Sequence, residues 1–198
     1  MPTISLTDFV DVVAKAGRPK ATKVRHVRER PDYEPAFDFY KAFREHVINV
    51  HRKALDRKAV SDVLKSLVDP KKAKAYPSIV DGYKRWWGRK QPVWFNPPRS
   101  TYASSGVEII INPELGLKLG DKKLVIKLYL KDEKLTSAKT EVITDLMHFV
   151  LSASSPDTCF AVLDVRNAKL YESDGVASGL IASVNAELAY ISSIWNEA

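Results

Sequence analysis

Two glutamates and two lysines between residues 107 and 131 have the types and spacing that metal-dependent chemistry would need. The carboxylates of Glu108 and Glu114 could hold Mg²⁺, and Lys127, with Lys131 following it, could help a water molecule attack a phosphodiester. The same residues also suit the solvated, charged side of an ordinary half-exposed hairpin. We favour this second interpretation, because any half-exposed strand shows such charge alternation.

These residues would be positioned by a pair of strands. Alternating side chains predict a first strand over residues 107–119, with regular pairing interrupted at Pro113. Gly120-Asp121 marks a turn, and a second strand is predicted over residues 123–130. Its leucines and isoleucine face one side, and Lys127 faces the other. The pattern predicts an antiparallel hairpin at the centre of the chain.

The basic residues concentrate in two segments. The first, residues 15–30, has few apolar side chains to bury. We expect a strand or loop lying on a nucleic-acid backbone, or a solvated linker that is disordered without a partner. Its candidate nucleic-acid contacts are Arg18, Lys20, Lys23, Arg25, Arg28 and Arg30.

The second segment, residues 83–99, interleaves cations with aromatic residues. Single-stranded nucleic acid favours this composition, because cations follow the phosphates and rings stack on the bases. The candidate contacts are Lys84, Arg85, Trp86, Trp87, Arg89, Lys90 and Trp94. Alternatively, the tryptophans anchor a helical half to a sheet. Because Trp86 and Trp87 are adjacent, we expect one to be buried and the other exposed.

The charge is unevenly distributed along the 198 residues. The net charge is +7, and the first hundred residues carry 22 Lys/Arg against 11 Asp/Glu. A polyanionic partner would therefore meet the first half of the chain. No apolar run reaches the ~18 residues of a membrane span, and Asp8 and Asp11 stand where a signal peptide would be apolar. We expect a cytoplasmic protein with no membrane partner.

The pattern predicts an α+β fold in two parts. Residues 1–100 would form a basic helical subdomain, with helices over 5–15 and 52–67 and, between them, a segment over 32–51 that begins with a turn and continues as a helix. Residues 101–198 would form a hairpin-centred α/β core of order β-β-α-β-β-α. In this core the expected elements are a helix capped by Thr136 or Ser137, a buried strand over 159–165, a short strand over 169–171, and a last helix capped by Ser173 or Asp174. The single cysteine, Cys159, is expected to be an inert core thiol.

The element order of residues 107–197 resembles the core of the PD-(D/E)XK nuclease superfamily, especially its RecB-like branch. Asn112-Pro113-Glu114 lies near the place of the family's first metal-binding acid. The acid-x-lysine motif is absent, because Val125-Ile126-Lys127 and Tyr129-Leu130-Lys131 carry valine and tyrosine where the acid would stand. The resemblance therefore implies a nuclease-like scaffold with a degenerate site, used for binding or assembly.

The sequence thus favours a non-catalytic nucleic-acid-binding protein that needs no cofactor. One alternative is a Mg²⁺-dependent nuclease that uses Glu108 and Glu114 as metal ligands together with Lys127 and Lys131. Another is a protein–protein adaptor or immunity-type protein, whose basic half docks on an acidic partner.

Overall fold

The computed structural model describes residues 1–30 and 38–197, which form an α+β fold. Its elements in chain order are β1 (Thr3–Ser5), α1 (Leu6–Val13), α2 (Gly17–Arg28), α3 (Lys41–Arg52), α4 (Pro70–Trp87), β2 (Val93–Phe95), β3 (Ser100–Ser104), β4 (Val107–Ile111), β5 (Leu115–Leu119), β6 (Lys122–Tyr129), α5 (Ser137–Leu151), β7 (Thr158–Asp164), β8 (Lys169–Glu172) and α6 (Leu180–Asn196). A 3₁₀ segment, Arg57–Ser66, joins α3 to α4, and a 3₁₀ turn, Ser152–Ser154, follows α5. From β5 to α6 the order is the expected β-β-α-β-β-α.

A five-stranded sheet of order β2-β5-β6-β7-β8 forms the centre of the molecule. Strands β6 and β7 are parallel, and the other neighbours are antiparallel. The predicted hairpin is confirmed for β5 and β6, where Leu119 pairs with Lys122 across a two-residue turn. Gly120 adopts a φ of 60° there, as the first position of such a turn requires.

The prediction that residues 107–111 belong to this hairpin is wrong. They form β4, the central strand of a separate sheet of order β1-β4-β3. Pro113 ends the pairing of β4 before β5 begins, so the two strands can enter different sheets. The apolar side chains of Val107, Ile109 and Ile111 are fully buried against a different set of helices from those that cover β5.

The two faces of the five-stranded sheet are covered by two hydrophobic cores. Leu124, Ile126 and Leu128 of β6 pack against α3, the 3₁₀ segment and α4. Val125, on the other face, packs in the core formed by α1, α5, α6 and the smaller sheet. Strand β6 is therefore buried on both faces, as alternation of side chains across a central strand requires.

The expectation that residues 18–30 form a strand, a loop or a disordered linker is wrong. Most of them belong to α2, which packs beside α6 and buries Val24. A helix forms here because its charges are offset by acids on α1 and α6, so the helix can bury Val24 together with its partly buried neighbours Ala21 and Val27.

The other predicted elements have mixed outcomes. Helix α5 with Thr136 as its N-cap is confirmed, and so are β7 and β8. The helix predicted over 52–67 is instead the 3₁₀ segment, and the N-cap of α6 is Gly179 in place of Ser173 or Asp174. The predicted turn and helix start at residues 32–37 lie outside the described residues.

The predicted boundary near residue 100 stays a prediction. Strands β1 and β2 come before it and pair with β4 and β5, which come after it. Within the described ranges, no helix is both long enough and apolar enough to cross a membrane.

Candidate nucleic-acid interface

The cations of the first basic segment are largely held by acidic residues of the same chain. Lys20 Nζ lies 2.6 Å from the Glu187 carboxylate, and Arg30 donates two hydrogen bonds to Asp8. Burial alone would raise the pKa of Asp8, but hydrogen bonds from Arg30 and Ser5 outweigh it and lower that pKa. The remaining ion pairs join Lys23 to Asp8 and Asp11, Arg25 to Glu197, and Arg28 to Glu29. Among the six predicted contacts, Arg18 is exposed and has no such pair in the described part of the chain.

The second basic segment differs, because its cations lack carboxylate partners. Residues 52–99 contain thirteen Lys/Arg and four Asp/Glu. Within the described residues, the only ion pair in this stretch joins Lys65 to Asp62. Six exposed cations lie at the end of α3, at the start of the 3₁₀ segment and directly after α4, and the 3₁₀ segment contacts both helices. We call this surface the basic end of α4. Its members are Arg52, Lys53, Arg57, Lys58, Arg89 and Lys90.

Backbone carbonyls at the C-terminal end of α4 accept hydrogen bonds from two of these cations. Arg57 donates to the carbonyl oxygen of Gly88 at 3.0 Å, and Lys90 donates to the carbonyl of Trp86. The last carbonyls of a helix have no partner inside the helix, and the helix dipole makes that end favourable for cations. These bonds fix two cations without neutralising their formal charge. Asp56, the nearest acid in sequence, caps the 3₁₀ segment by accepting from the Lys58 N–H.

The expectation that one of the adjacent tryptophans is exposed is wrong. Trp86 and Trp87 are 5% and 6% exposed. Trp87 stacks on His51 with ring centroids 4.3 Å apart, and its Nε1 donates to the Lys90 carbonyl. Both rings can be buried because residues beyond the end of α4 fold back over them. Burial lowers the pKa of His51 to about 4, and its Nε2 lies 2.6 Å from the Tyr83 hydroxyl.

The other predicted contacts of this segment have internal partners. Lys84 donates to the Ser61 hydroxyl at 2.9 Å, and Arg85 donates to the Arg166 carbonyl at 2.7 Å. Trp94, on edge strand β2, is half-buried with the Arg52 guanidinium 5.6 Å from its ring centre. Among the predicted contacts in this segment, Arg89 and Lys90 are exposed cations at the basic end of α4.

Glu114 and Lys127, predicted as catalytic residues, form a buried ion pair. Lys127 Nζ lies 2.8 Å from Glu114 Oε1 and also donates to the carbonyl and side-chain oxygens of Asn112. Glu114 Oε2 accepts from the Leu128 N–H at 2.8 Å, and Arg44 Nε lies 4.0 Å from the same carboxylate. Leu115, the first residue of β5, pairs with Ile126, so Leu128 of β6 has no partner on β5. The Glu114 carboxylate accepts the hydrogen bond that a β5 residue would otherwise accept from Leu128.

The other two predicted catalytic residues lie apart from this pair. Glu108 is on β4 of the smaller sheet, where it pairs with Ala103 and Thr3. Lys131 forms an ion pair with Asp11 of α1. Among residues 1–30 and 38–197, no three His, Cys, Asp or Glu side chains form a group that could hold a metal ion. The structure therefore does not bring Glu108 and Glu114 together in such a group.

No protein-family model matches the chain, and no curated protein matches it.

A polar cluster beside β8 brings Ser173 to His148 and Asp145, two α5 residues whose spacing allows an acid/base pair but which have no nucleophile nearby in sequence. Ser173 Oγ lies 3.3 Å from His148 Nδ1 and 3.2 Å from Asp145 Oδ1. Asp145 is buried and also accepts from the Ala177 N–H. Its carboxylate bonds to the serine and not to the histidine, so the cluster holds the 173–177 loop on α5 and lacks the relay of a hydrolytic triad. Serine and histidine are far apart in sequence, and no local pattern joins them.

Proposed function

We propose that this protein binds nucleic acid through the basic end of α4. The observation that supports the proposal is the gathering of six exposed cations without a carboxylate pair among the described residues. Cations that are not neutralised internally can release the counterions condensed on a phosphate backbone, and this release drives non-specific binding. The first basic segment lacks this property, because five of its six predicted contacts are paired.

Two triple variants test the location of the surface. The basic-end triple replaces three exposed side chains that make no hydrogen bond or ion pair in the described structure: Lys53→Glu, Lys58→Glu and Arg89→Glu. The control triple replaces equally exposed cations elsewhere: Lys15→Glu, Arg18→Glu and Lys134→Glu. Each triple lowers the net charge of +7 by the same six units, so a difference between them reports position and not total charge.

The measurement is fluorescence polarisation of labelled oligonucleotides at several salt concentrations, with Mg²⁺ and with a chelator. We expect salt-sensitive binding that is independent of Mg²⁺ and is weakened at least about tenfold in the basic-end triple, but less than about twofold in the control triple. Equal weakening in the two triples would contradict the proposed surface.

A denaturing gel of the same samples addresses the two alternatives. Mg²⁺-dependent shortening of the oligonucleotide, abolished by Glu114→Ala in protein whose circular dichroism matches that of the parent, would favour the nuclease over simple binding. The absence of any binding at low salt would refute nucleic-acid binding and leave the protein–protein adaptor as the remaining hypothesis.

A further inference from the structure

The aromatic rings near the basic end of α4 are already covered by other groups. None of the six aromatic residues between positions 52 and 99 is exposed. The ring of Trp87 stacks on His51, and Trp86 is only 5% exposed. Trp94 packs against the core beneath α3 and α4, and the Arg52 guanidinium lies over its ring. A base could not stack on these rings without first displacing a side chain of the protein.

Binding without open rings must rest on contacts between cations and phosphates. Proteins that hold single strands usually add base stacking, which compensates for the lower charge density of a single strand. A duplex has more closely spaced charges, and each phosphate contact releases about 0.9 counterion from a duplex but about 0.7 from a single strand. A surface that offers only cations should therefore bind a duplex with a more favourable free energy than a single strand.

We propose that the basic end of α4 binds double-stranded nucleic acid along its sugar–phosphate backbone, in preference to single strands and without reading the bases. This inference rests on the proposed function and names its substrate class. Arg57 and Lys90 are held in place by the carbonyls of α4. Lys53, Lys58 and Arg89 are exposed and make no side-chain hydrogen bond in the described structure, so their side chains can adjust to the phosphates.

The salt dependence of binding gives the expected size of the effect. If all six cations contact phosphates, the plot of log affinity against log salt has a slope of about −5 for a duplex and about −4 for a single strand. The basic-end triple removes three contacts, which makes the duplex slope shallower by about 3. The control triple leaves both slopes unchanged.

The test compares one labelled strand, free of self-complementarity, alone and annealed to its complement, by polarisation with the full chain. A matched RNA duplex separates recognition of phosphates in general from recognition of DNA shape. We expect both duplexes to bind at least about threefold more tightly than the single strand at moderate salt.

A third variant, Trp94→Leu, tests stacking directly. If bases stacked on this ring, its loss would weaken single-strand binding by roughly fivefold or more. We expect a change below twofold, in a variant whose far-ultraviolet circular dichroism matches that of the parent protein.

The two proposals fail in different ways. Tighter binding of the single strand than of either duplex, or a fivefold loss of single-strand binding in Trp94→Leu, would overturn duplex preference and leave nucleic-acid binding intact. Failure to bind any of the three oligonucleotides at low salt would overturn both proposals.

Discussion

The buried pair of Glu114 and Lys127 provides a direct test of whether these residues stabilise the fold. Their side chains are 10% and 9% exposed. Replacement of Glu114 by Gln leaves the Lys127 ammonium buried with only neutral oxygens as acceptors, those of Asn112 and of the new amide. Removing one partner of a buried ion pair costs about 3–5 kcal/mol, because the other charge stays desolvated.

Replacement of Lys127 should lower the free energy of unfolding less than replacement of Glu114. In Lys127→Met, the Glu114 carboxylate still accepts from the Leu128 N–H, and Arg44 Nε lies 4.0 Å away. We expect about 3 kcal/mol for this variant and about 5 kcal/mol for Glu114→Gln. The double variant keeps an amide oxygen for the Leu128 N–H and leaves no buried charge in the pair. It should therefore be more stable than Glu114→Gln alone.

The assay is urea denaturation of the four proteins as a double-mutant cycle, followed by intrinsic fluorescence. For a chain of this size, Glu114→Gln should also lower the melting temperature by roughly 10–20 °C. The exposed pair of Lys65 and Asp62 supplies the control, because Lys65→Met should leave the unfolding midpoint unchanged. Costs below about 1 kcal/mol for both single variants, or costs that simply add in the double variant, would refute this reasoning.

Three further predictions concern other parts of the fold. Burial lowers the pKa of His51 to about 4 from an ordinary 6.5, so the folded protein favours the neutral imidazole. Its contribution to the free energy of unfolding is therefore complete above pH 6.5. As the pH falls towards 4, the free energy of unfolding should decrease by about 3 kcal/mol. His51→Gln should remove that part of the acid sensitivity measured by urea denaturation from pH 7 to 4, and an unchanged profile would contradict it. Gly82→Ala should destabilise the protein by about 3 kcal/mol in the same assay, because the new Cβ would clash with the Val165 carbonyl oxygen. This cost outweighs the better helix propensity of alanine, which is worth about 1 kcal/mol. A stabilised variant would disprove the close approach. Burial raises the pKa of the single thiol, Cys159, to about 11, so iodoacetamide at pH 8 should react roughly a hundredfold more slowly than with the unfolded chain; equal rates would show an accessible thiolate.

Local patterns in the sequence were sufficient for the elements whose side chains repeat regularly. The hairpin of β5 and β6, helix α5 and strand β7 each carry a strong apolar period, and Thr136 is a strong N-cap. Strand β4 was assigned to the wrong sheet, because apolar alternation shows which side of a strand is buried but not which sheet the strand enters.

The charges and ring environments of the candidate interface depend on long-range contacts. Charge density predicts a nucleic-acid contact over residues 18–30, but most of the acids that pair with these cations are distant in sequence, on α1 and at or near α6. Likewise, adjacency suggested that Trp86 and Trp87 face opposite environments, but His51 of α3 and the chain after α4 cover the second ring. A single sequence does not reveal partners that meet only in the folded molecule.

The long-range partners of β1 and α2 affect the order in which parts of the chain can fold during synthesis. The carbonyl of Pro2 bonds to the N–H of Glu108, and Lys20 of α2 bonds to Glu187 of α6. At a synthesis rate of about 5–20 residues per second, the apolar side of α2 must wait roughly eight to thirty-five seconds for α6 to be translated. The helices between residues 41 and 87 have near neighbours in sequence and can associate sooner. We expect β1 and α2 to dock only after β4 and α6 are made, and a chaperone that holds them meanwhile would raise the yield of folded protein.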